Sequence, residues 1–293
     1  MTTMDPAAGA HGAAEPDSAI EASSTAQPGS VTQPVSVTQP GSATQPHGIS
    51  GTGSEALAQE PAVLWDMDGT IVDTEPYFTD AVQTLVTAAG GSLSAQDHHD
   101  LVGANLWTLA AIAARAGVRS DADTIVNTVN QAVQQRLQQH VPWRPGAREL
   151  LLDLRALGVR TALVTMSFRQ VAHAVVASAG FDAFDVVVTG DEVARGKPDP
   201  EAHLLAATRL GVPISRCLVI EDSPPGVAAG VASGATVLAV PSQVPLPEDP
   251  RWTRWESLAG RCGRDLLKLI PPPAHPFAPH ELAQARELDT NLI

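Results

Sequence analysis

Lysine, cysteine and aromatic side chains are scarce in this 293-residue chain. Two cysteines, Cys217 and Cys262, cannot build a disulfide framework, and neither belongs to a C-x-x-C pair. A reducing compartment, the cytoplasm, is therefore expected. Eleven aromatics (five Trp, five Phe, one Tyr) and a formal net charge of −14 supply neither the stacking platforms nor the basic stripe of a nucleic-acid binder. No basic stretch followed by an apolar run opens the sequence, so no secretory leader is expected. Residues 223–247 carry no charge over 25 positions, long enough to cross a bilayer. Pro224, Pro225, Gly226, Gly230, Gly234 and Pro241 break that run into a small-residue helix and a β-branched strand, so no membrane span follows. Only two lysines, Lys197 and Lys268, stand against 16 arginines. A lysine kept against that bias calls for a reason.

The charge is uneven. Residues 1–60 hold six acidic side chains and no Lys or Arg, which leaves −8 over the remaining 233 residues. Within that first segment, residues 27–46 repeat every six positions, with Pro28, Pro34, Pro40 and Pro46 in step. Proline at that period prevents a helix, and Ser, Thr, Gln and Gly offer too little apolar surface to offset ordering entropy. A disordered arm over 1–60 is expected. Pro271-Pro272-Pro273 stops the last helical signal, and 271–293 reads as a weakly ordered tail. At ~150 residues per domain the length allows about two domains.

Between the ends, apolar runs at 62–65, 161–164, 186–188, 218–220 and 236–240 read as buried strands. Helical patterns at 146–157, 169–178, 201–210 and 226–232 separate the later ones, and Gly158, Gly180 and Gly211 stop three of them. Strand-helix alternation predicts an α/β fold, a Rossmann-like parallel sheet covered on both faces. The gap after the first strand is the exception. Residues 77–145 have helical periodicity without strand signals, as in FTDAVQTLVTAA and ADTIVNTVNQAVQQRL. This segment reads as an all-helical domain inserted into a core of 61–76 and 146–270. It would lie over the carboxyl ends of the strands.

Four polar clusters follow the strands. They are Asp66-Met67-Asp68-Gly69-Thr70, Thr165-Met166-Ser167, Gly196-Lys197-Pro198-Asp199-Pro200 and Glu221-Asp222-Ser223. Parallel strands end on one edge, so the clusters should converge. Carboxylates gathered there need a compensating cation, and Lys197 alone is not enough. Oxygen ligands without His or Cys favour Mg²⁺ over zinc. A metal, a lysine and a hydroxyl together suit a phosphoryl group. A calcium loop is excluded by Thr70, Ile71 and Tyr77 at positions that need an oxygen ligand, glycine and glutamate. The pairs His98-His99, and the single His140, His173 and His203, show no metal-ligand spacing. Cys217 opens a strand and reads as an inert core thiol, while Trp252 and Trp255 read as packing the final helix.

Over residues 62–270 the sequence resembles the haloacid dehalogenase superfamily, in its phosphatase and phosphomutase branch with a helical cap. VLWDMDGTIVDTEP, VTMS, GKPDPE and EDSPPGV correspond to the four family motifs. The resemblance implies Asp66 as the nucleophile that forms an aspartyl-phosphate, and Asp68 as general acid and base. It implies Mg²⁺ held by Asp66, the Asp68 carbonyl and Asp222, with Glu221 acting through water. It also implies that Thr165 hydrogen-bonds the phosphoryl group while Lys197 neutralises its charge. Met166 and Ser167 on the core side, and Gly103 and Asn105 in the inserted segment, are further candidate substrate contacts. Trp107 is a candidate contact beside Asn105, with a place in the core the first expectation for it.

A carboxylic acid at Asp68 suits a poor alkoxide leaving group, which places phosphate-ester chemistry above dehalogenation. The expected activity is a Mg²⁺-dependent phosphatase acting on a small phosphorylated metabolite such as a sugar phosphate, working as a monomer. A sugar phosphomutase on the same site is the alternative. Related mutases carry an arginine three residues after the glycine of the cap loop, where this chain has Leu106, and that favours hydrolysis. A receiver-type phosphoacceptor module fits poorly because the third strand is followed by Thr189-Gly190, not an aspartate.

Overall fold

The computed structural model describes residues 60–272. The arm expected over 1–60 and the tail expected over 271–293 lie outside them, except for residues 60, 271 and 272. Six strands are described: β1 (Ala62–Trp65), β2 (Arg160–Val164), β3 (Val186–Val188), β4 (Cys217–Glu221), β5 (Thr236–Ala239) and β6 (Thr253–Arg254). All pair in parallel, in the order β3-β2-β1-β4-β5-β6. The chain builds outward from β1 to β3 and then returns to lay β4 on the other side of β1. Trp65 thus lies beside Leu163 and Ile220. This reversal opens a crevice at the carboxyl ends of β1 and β4.

Side chains two apart along a strand share a face. Val63 and Trp65 therefore join Leu163, Leu218, Ile220 and Leu238 in one apolar cluster, while Ala62 and Leu64 join Ala162, Val164, Val219, Val237 and Ala239 in the other. Both faces are covered, which is why the strands read as unbroken apolar runs. Helices α5 (Ala147–Ala156) and α6 (Arg169–Ser178) cover the first face; α7 (Glu201–Leu210) and α8 (Pro224–Ser233) cover the second. Gly211 ends α7 in the left-handed conformation (φ +67°), a geometry that costs a side-chain-bearing residue energy. Helix α8 starts two residues before the expected 226 because Ser223 caps it and prolines are tolerated in a first turn.

Four helices separate β1 from α5: α1 (Glu75–Ala88), α2 (Ala95–Leu101), α3 (Leu106–Arg115) and α4 (Ala122–Gln139). Their starts are set locally. Ser94 and Asp97 form a capping box on α2, Asn105 Oδ1 accepts from Thr108 N–H at 2.9 Å, and Asp121 Oδ1 accepts from Thr124 N–H at 2.8 Å. The chain leaves and re-enters the sheet side by side. Val72 and Trp143 form an antiparallel bridge, Asp73 N–H donates to the Pro142 carbonyl at 2.9 Å and Arg144 N–H to the Ile71 carbonyl at 2.8 Å.

Two elements were not expected from the pattern. Helix α2 (AQDHHDL) is short and polar, and β6 has two residues, too few to show a period. Trp107 departs from expectation: it is 53% exposed, since the inward face of α3 is filled by Leu109, Ala110, Ile112 and Ala113. Trp255 joins the cluster that holds Leu266 of α9 (Gly263–Leu267), but Trp252 packs into the opposite cluster, not on that helix. Cys217 is buried, and burial pushes its thiol up to about 12, so it is inert as expected. Among the described residues no helix is long and apolar enough to cross a membrane.

Candidate active site

Asp66 is the first residue beyond β1. Its N–H donates to the Ile220 carbonyl at 3.0 Å, which extends the ladder by one step and fixes the side chain at the crevice. Lys197, from the loop before α7, reaches across β2. Its Nζ donates to Asp66 Oδ1 at 2.6 Å and to the Val164 carbonyl at 3.0 Å, and lies 2.6 Å from Glu221 Oε1. Burial would lower the pKa of this ammonium, but Asp66 and Glu221 outweigh it and hold the pKa above its ordinary value. One buried cation thus serves two buried carboxylates.

Asp68 sits opposite, held by three hydroxyls. Thr74 Oγ1 donates to Oδ1 at 2.5 Å, and Thr165 Oγ1 and Ser167 Oγ donate to Oδ2 at 3.0 and 2.8 Å. Asp222 follows β4 and packs on Gly69, which has φ +85°. A Cβ at Gly69 would fall 2.0 Å from Asp222 Oδ2. Behind them Glu221 is fully buried, with Oε2 against Gly226 at the start of α8; a Cβ there would lie 1.8 Å away. These two glycines are required by carboxylates, not by turns alone.

The carboxylates are short of positive charge. Burial, and then the neighbouring Glu221, push Asp222 up to about 7. Burial also raises Asp66 well above the usual range; Lys197 opposes this while Glu221, Asp222 and Asp68 add to it. Burial would raise Glu221 too, but Lys197 and then His203 keep it below its ordinary value. Oxygens of Asp66, Glu221 and Asp222 lie within 4.8 Å of one another, and Asp66 Oδ2 and Glu221 Oε2 are buried without a hydrogen-bond partner. An oxygen-only set with unpaired buried anions fits a hard divalent cation. This cluster is the one candidate metal site among the described residues.

A profile of the haloacid dehalogenase-like hydrolases matches residues 61–234. Hexitol phosphatase A of Escherichia coli is 34% identical over 185 residues, which cover 63% of this chain and 84% of that protein. The phosphorylated carbohydrates phosphatase of Thermotoga maritima is 29% identical, over 59% of this chain and 81% of its own length. The crystal structure of CbbY from Rhodobacter sphaeroides in complex with phosphate superposes with a TM-score of 0.62 at 25% identity, covering 69% of this chain and 96% of that one. The chain belongs to the haloacid dehalogenase-like hydrolases. It is an enzyme of that family, with the parallel sheet and helical cap that its sequence implied.

Within this hydrolase, a cavity of about 410 Å³ opens over Asp66, Asp68, Lys197 and Asp222. Met166 and Ser167 line it from the core side, and Gly103, Asn105 and Leu106 from the helical insert. Thr165 and Glu221 are fully buried and are not among the cavity's lining; Thr165 donates to Asp68, and Glu221 pairs with Lys197. Met166 has a structural contact as well, its sulfur accepting from Lys197 N–H at 3.4 Å. Asn105 spends its carbonyl oxygen on the cap of α3. Trp107 is not part of the wall.

Several residues were not singled out from the sequence. Thr74 and Glu75 continue the first motif directly, so their position in DTEP was a usable signal. His203 is fully buried on α7, its Nε2 3.3 Å from Glu221 Oε1, and burial keeps it neutral by lowering its pKa. Its register two residues into α7 gave no hint of that contact. Gln243 and Val244 reach the cavity from the loop after β5, and Arg144 ties the re-entering chain to Ser242 and the Pro241 carbonyl beside Asp222. No motif marks that loop.

Proposed function

We propose that the protein is a Mg²⁺-dependent phosphatase that hydrolyses a small phosphorylated metabolite, of the sugar-phosphate class, through an aspartyl-phosphate. The helical segment 77–145 acts as its cap over a core formed by 61–76 and 146–270. The observation that carries this reading is the pair of oxygens on Asp66. Lys197 holds Oδ1, while Oδ2 has no hydrogen-bond partner, so the carboxylate on the cavity floor is not fully committed to its neighbours. Names of the relatives point to the same class, as hexitol and phosphorylated-carbohydrate phosphatases.

A carboxylate oxygen of Asp66 forms a bond to phosphorus as the ester oxygen leaves, and Asp68 gives that leaving oxygen its proton. Asp68, once ionised, takes a proton from a water molecule that attacks phosphorus. The acyl-phosphate bond breaks, and inorganic phosphate and the Asp66 carboxylate result. The hydroxyls of Thr74, Thr165 and Ser167 hold the Asp68 carboxyl in one orientation for both steps. Lys197 keeps a positive charge beside the phosphoryl oxygens, and its compact ammonium fits between Asp66 and Glu221 where a planar guanidinium would not. Asp66, Asp222 and the Asp68 carbonyl would hold Mg²⁺, with Glu221 behind; bound there, it neutralises charge on the phosphoryl oxygens.

The test is hydrolysis of p-nitrophenyl phosphate and a panel of sugar phosphates with Mg²⁺, and its loss on addition of EDTA. Asp66→Asn is expected to lower kcat by at least ~10³-fold with an unchanged circular-dichroism spectrum. Full turnover in that variant overturns the assignment.

A further inference from the structure

Beyond the catalytic cluster, the cavity wall has a consistent chemistry. Phe78, Leu101, Leu106, Leu109, Val244 and Pro225 make it mainly apolar. Its polar groups there are Thr74, Asn105, Ser223, Gln243 and the Glu75 carboxylate. Lys197 is the one cation among the described residues of the lining, and its ammonium is already engaged by Asp66, Glu221 and the Val164 carbonyl. Glu75 is fixed in place, since its Oε1 accepts from the Gly103 backbone N–H at 3.2 Å. That bond ties the first turn of α1 to the loop before α3, and both belong to the wall that a leaving group would meet.

We infer that this site takes a monophosphate ester whose leaving group bears hydroxyls and no negative charge, and that Glu75 is the residue that selects against a second phosphate or a carboxylate. The inference rests on the phosphatase reading and narrows its substrate class. An anionic group in the outer cavity would lose its water, find no cation and face Glu75 across an apolar space. A hydroxyl there meets an acceptor in the Glu75 carboxylate and hydrogen-bonding amides on Asn105 and Gln243. The apolar wall covers the ring face or carbon chain of a sugar or polyol. Its volume is near the low end of the about 300–1,000 Å³ usual for ligand sites, which suits a single ring or short chain.

Two pairs of probes differ mainly in the charge of the leaving group. One is glucose 6-phosphate against 6-phosphogluconate; the other is a phenyl phosphate with a para methyl ester against one with a para carboxylate. For the better-turned-over pair, the charged member is expected to show at least ~30-fold lower kcat/KM, with the loss mostly in KM. Calorimetric binding of the same pairs to Asp66→Asn protein is expected to show the same ratio without turnover. Glu75→Gln should narrow the ratio several-fold, and Leu106→Arg should narrow it further or invert it. Equal kcat/KM and equal binding within the pairs overturn the inference. A ratio unmoved by Glu75→Gln overturns the role of Glu75. Discrimination in binding with no hydrolysis by the wild-type enzyme supports the inference and overturns the phosphatase reading instead.

Discussion

The two sides of the cavity are built on opposite terms. On the sheet side, four carboxylates from the ends of β1 and β4 meet one ammonium from the loop before α7 and hydroxyls from the end of β2, and Asp66 and Glu221 each keep a buried oxygen without a hydrogen-bond partner. On the helical side, the wall is apolar, and its few polar groups serve helix starts and loops, as Asn105 and Glu75 do. Charge is concentrated where bonds are to be made and broken, and nearly absent where a substrate is to be recognised. Chemistry and choice of substrate are therefore separable, and substitutions on the two sides should fail in different ways.

The sharpest contrast comes from Lys197→Met. It leaves Asp66 and Glu221 buried without their shared cation, so kcat should fall by about 10³-fold or more. Breaking a buried pair in this way costs about 3–5 kcal/mol, which urea unfolding will read, and added Mg²⁺ should recover part of it. A fully active, equally stable variant would remove the distinction between the two sides. Gly226→Ala tests the same side sterically. Its Cβ must displace Glu221 Oε2, with an expected loss of about 1–3 kcal/mol and lower kcat. Gly211→Ala lies far from the carboxylates and meets nothing within 4 Å, so it reports the left-handed strain alone.

Phe78→Ala probes the helical side. Widening the apolar wall should raise KM by roughly tenfold for a good substrate, the loss expected for a missing hydrophobic contact, with a smaller effect on kcat. A selective loss of kcat would break the comparison. The smallest effect concerns Asp97, at the start of α2. Hydrogen bonds from Ser94 and then from Arg115 hold its carboxyl well below the usual range. A carboxyl depressed in the folded state stabilises the protein above about pH 4, its unfolded pKa, and this contribution is lost as pH falls through the folded value. Urea midpoints of wild type and Asp97→Asn should therefore differ at pH 7 and converge in acid.

The same division governs what could be read from the sequence. Residues on the sheet side announce themselves because the carboxyl ends of parallel strands lie on one edge, so the polar clusters DMDGT, VTMS, GKPDP and EDS that follow the strands could be placed together without coordinates. The bounds of β1, β3, α6 and α7 were legible because their apolar runs are flanked by glycine, proline or acidic caps. Helix α2 was not, since its seven residues, five of them polar, carry no period and depend on Ser94 and Asp97 for their start. His203 was hidden for a different reason. A histidine three or four residues from Ala206 and Ala207 reads as helix face, and only the packing of α7 across β1 and β2, beside α8, brings it to Glu221. Gln243 and Val244 lie more than 170 residues from Asp68 in the chain. Their contribution depends on how the loop after β5 is tied to Arg144, which no local pattern encodes.

The bridge between Val72 and Trp143 has a consequence for inheritance. The segment between those residues begins and ends at neighbouring points, so it can be lengthened, shortened or replaced as a cassette without moving a strand or re-routing the chain. Glu75 and the loop that holds it travel inside that cassette, while Asp66, Asp68, Lys197 and Asp222 stay outside it. A lineage that exchanges this segment replaces most of the outer wall, and one hydroxyl on Asp68, while those four residues and the strands that carry them stay in place.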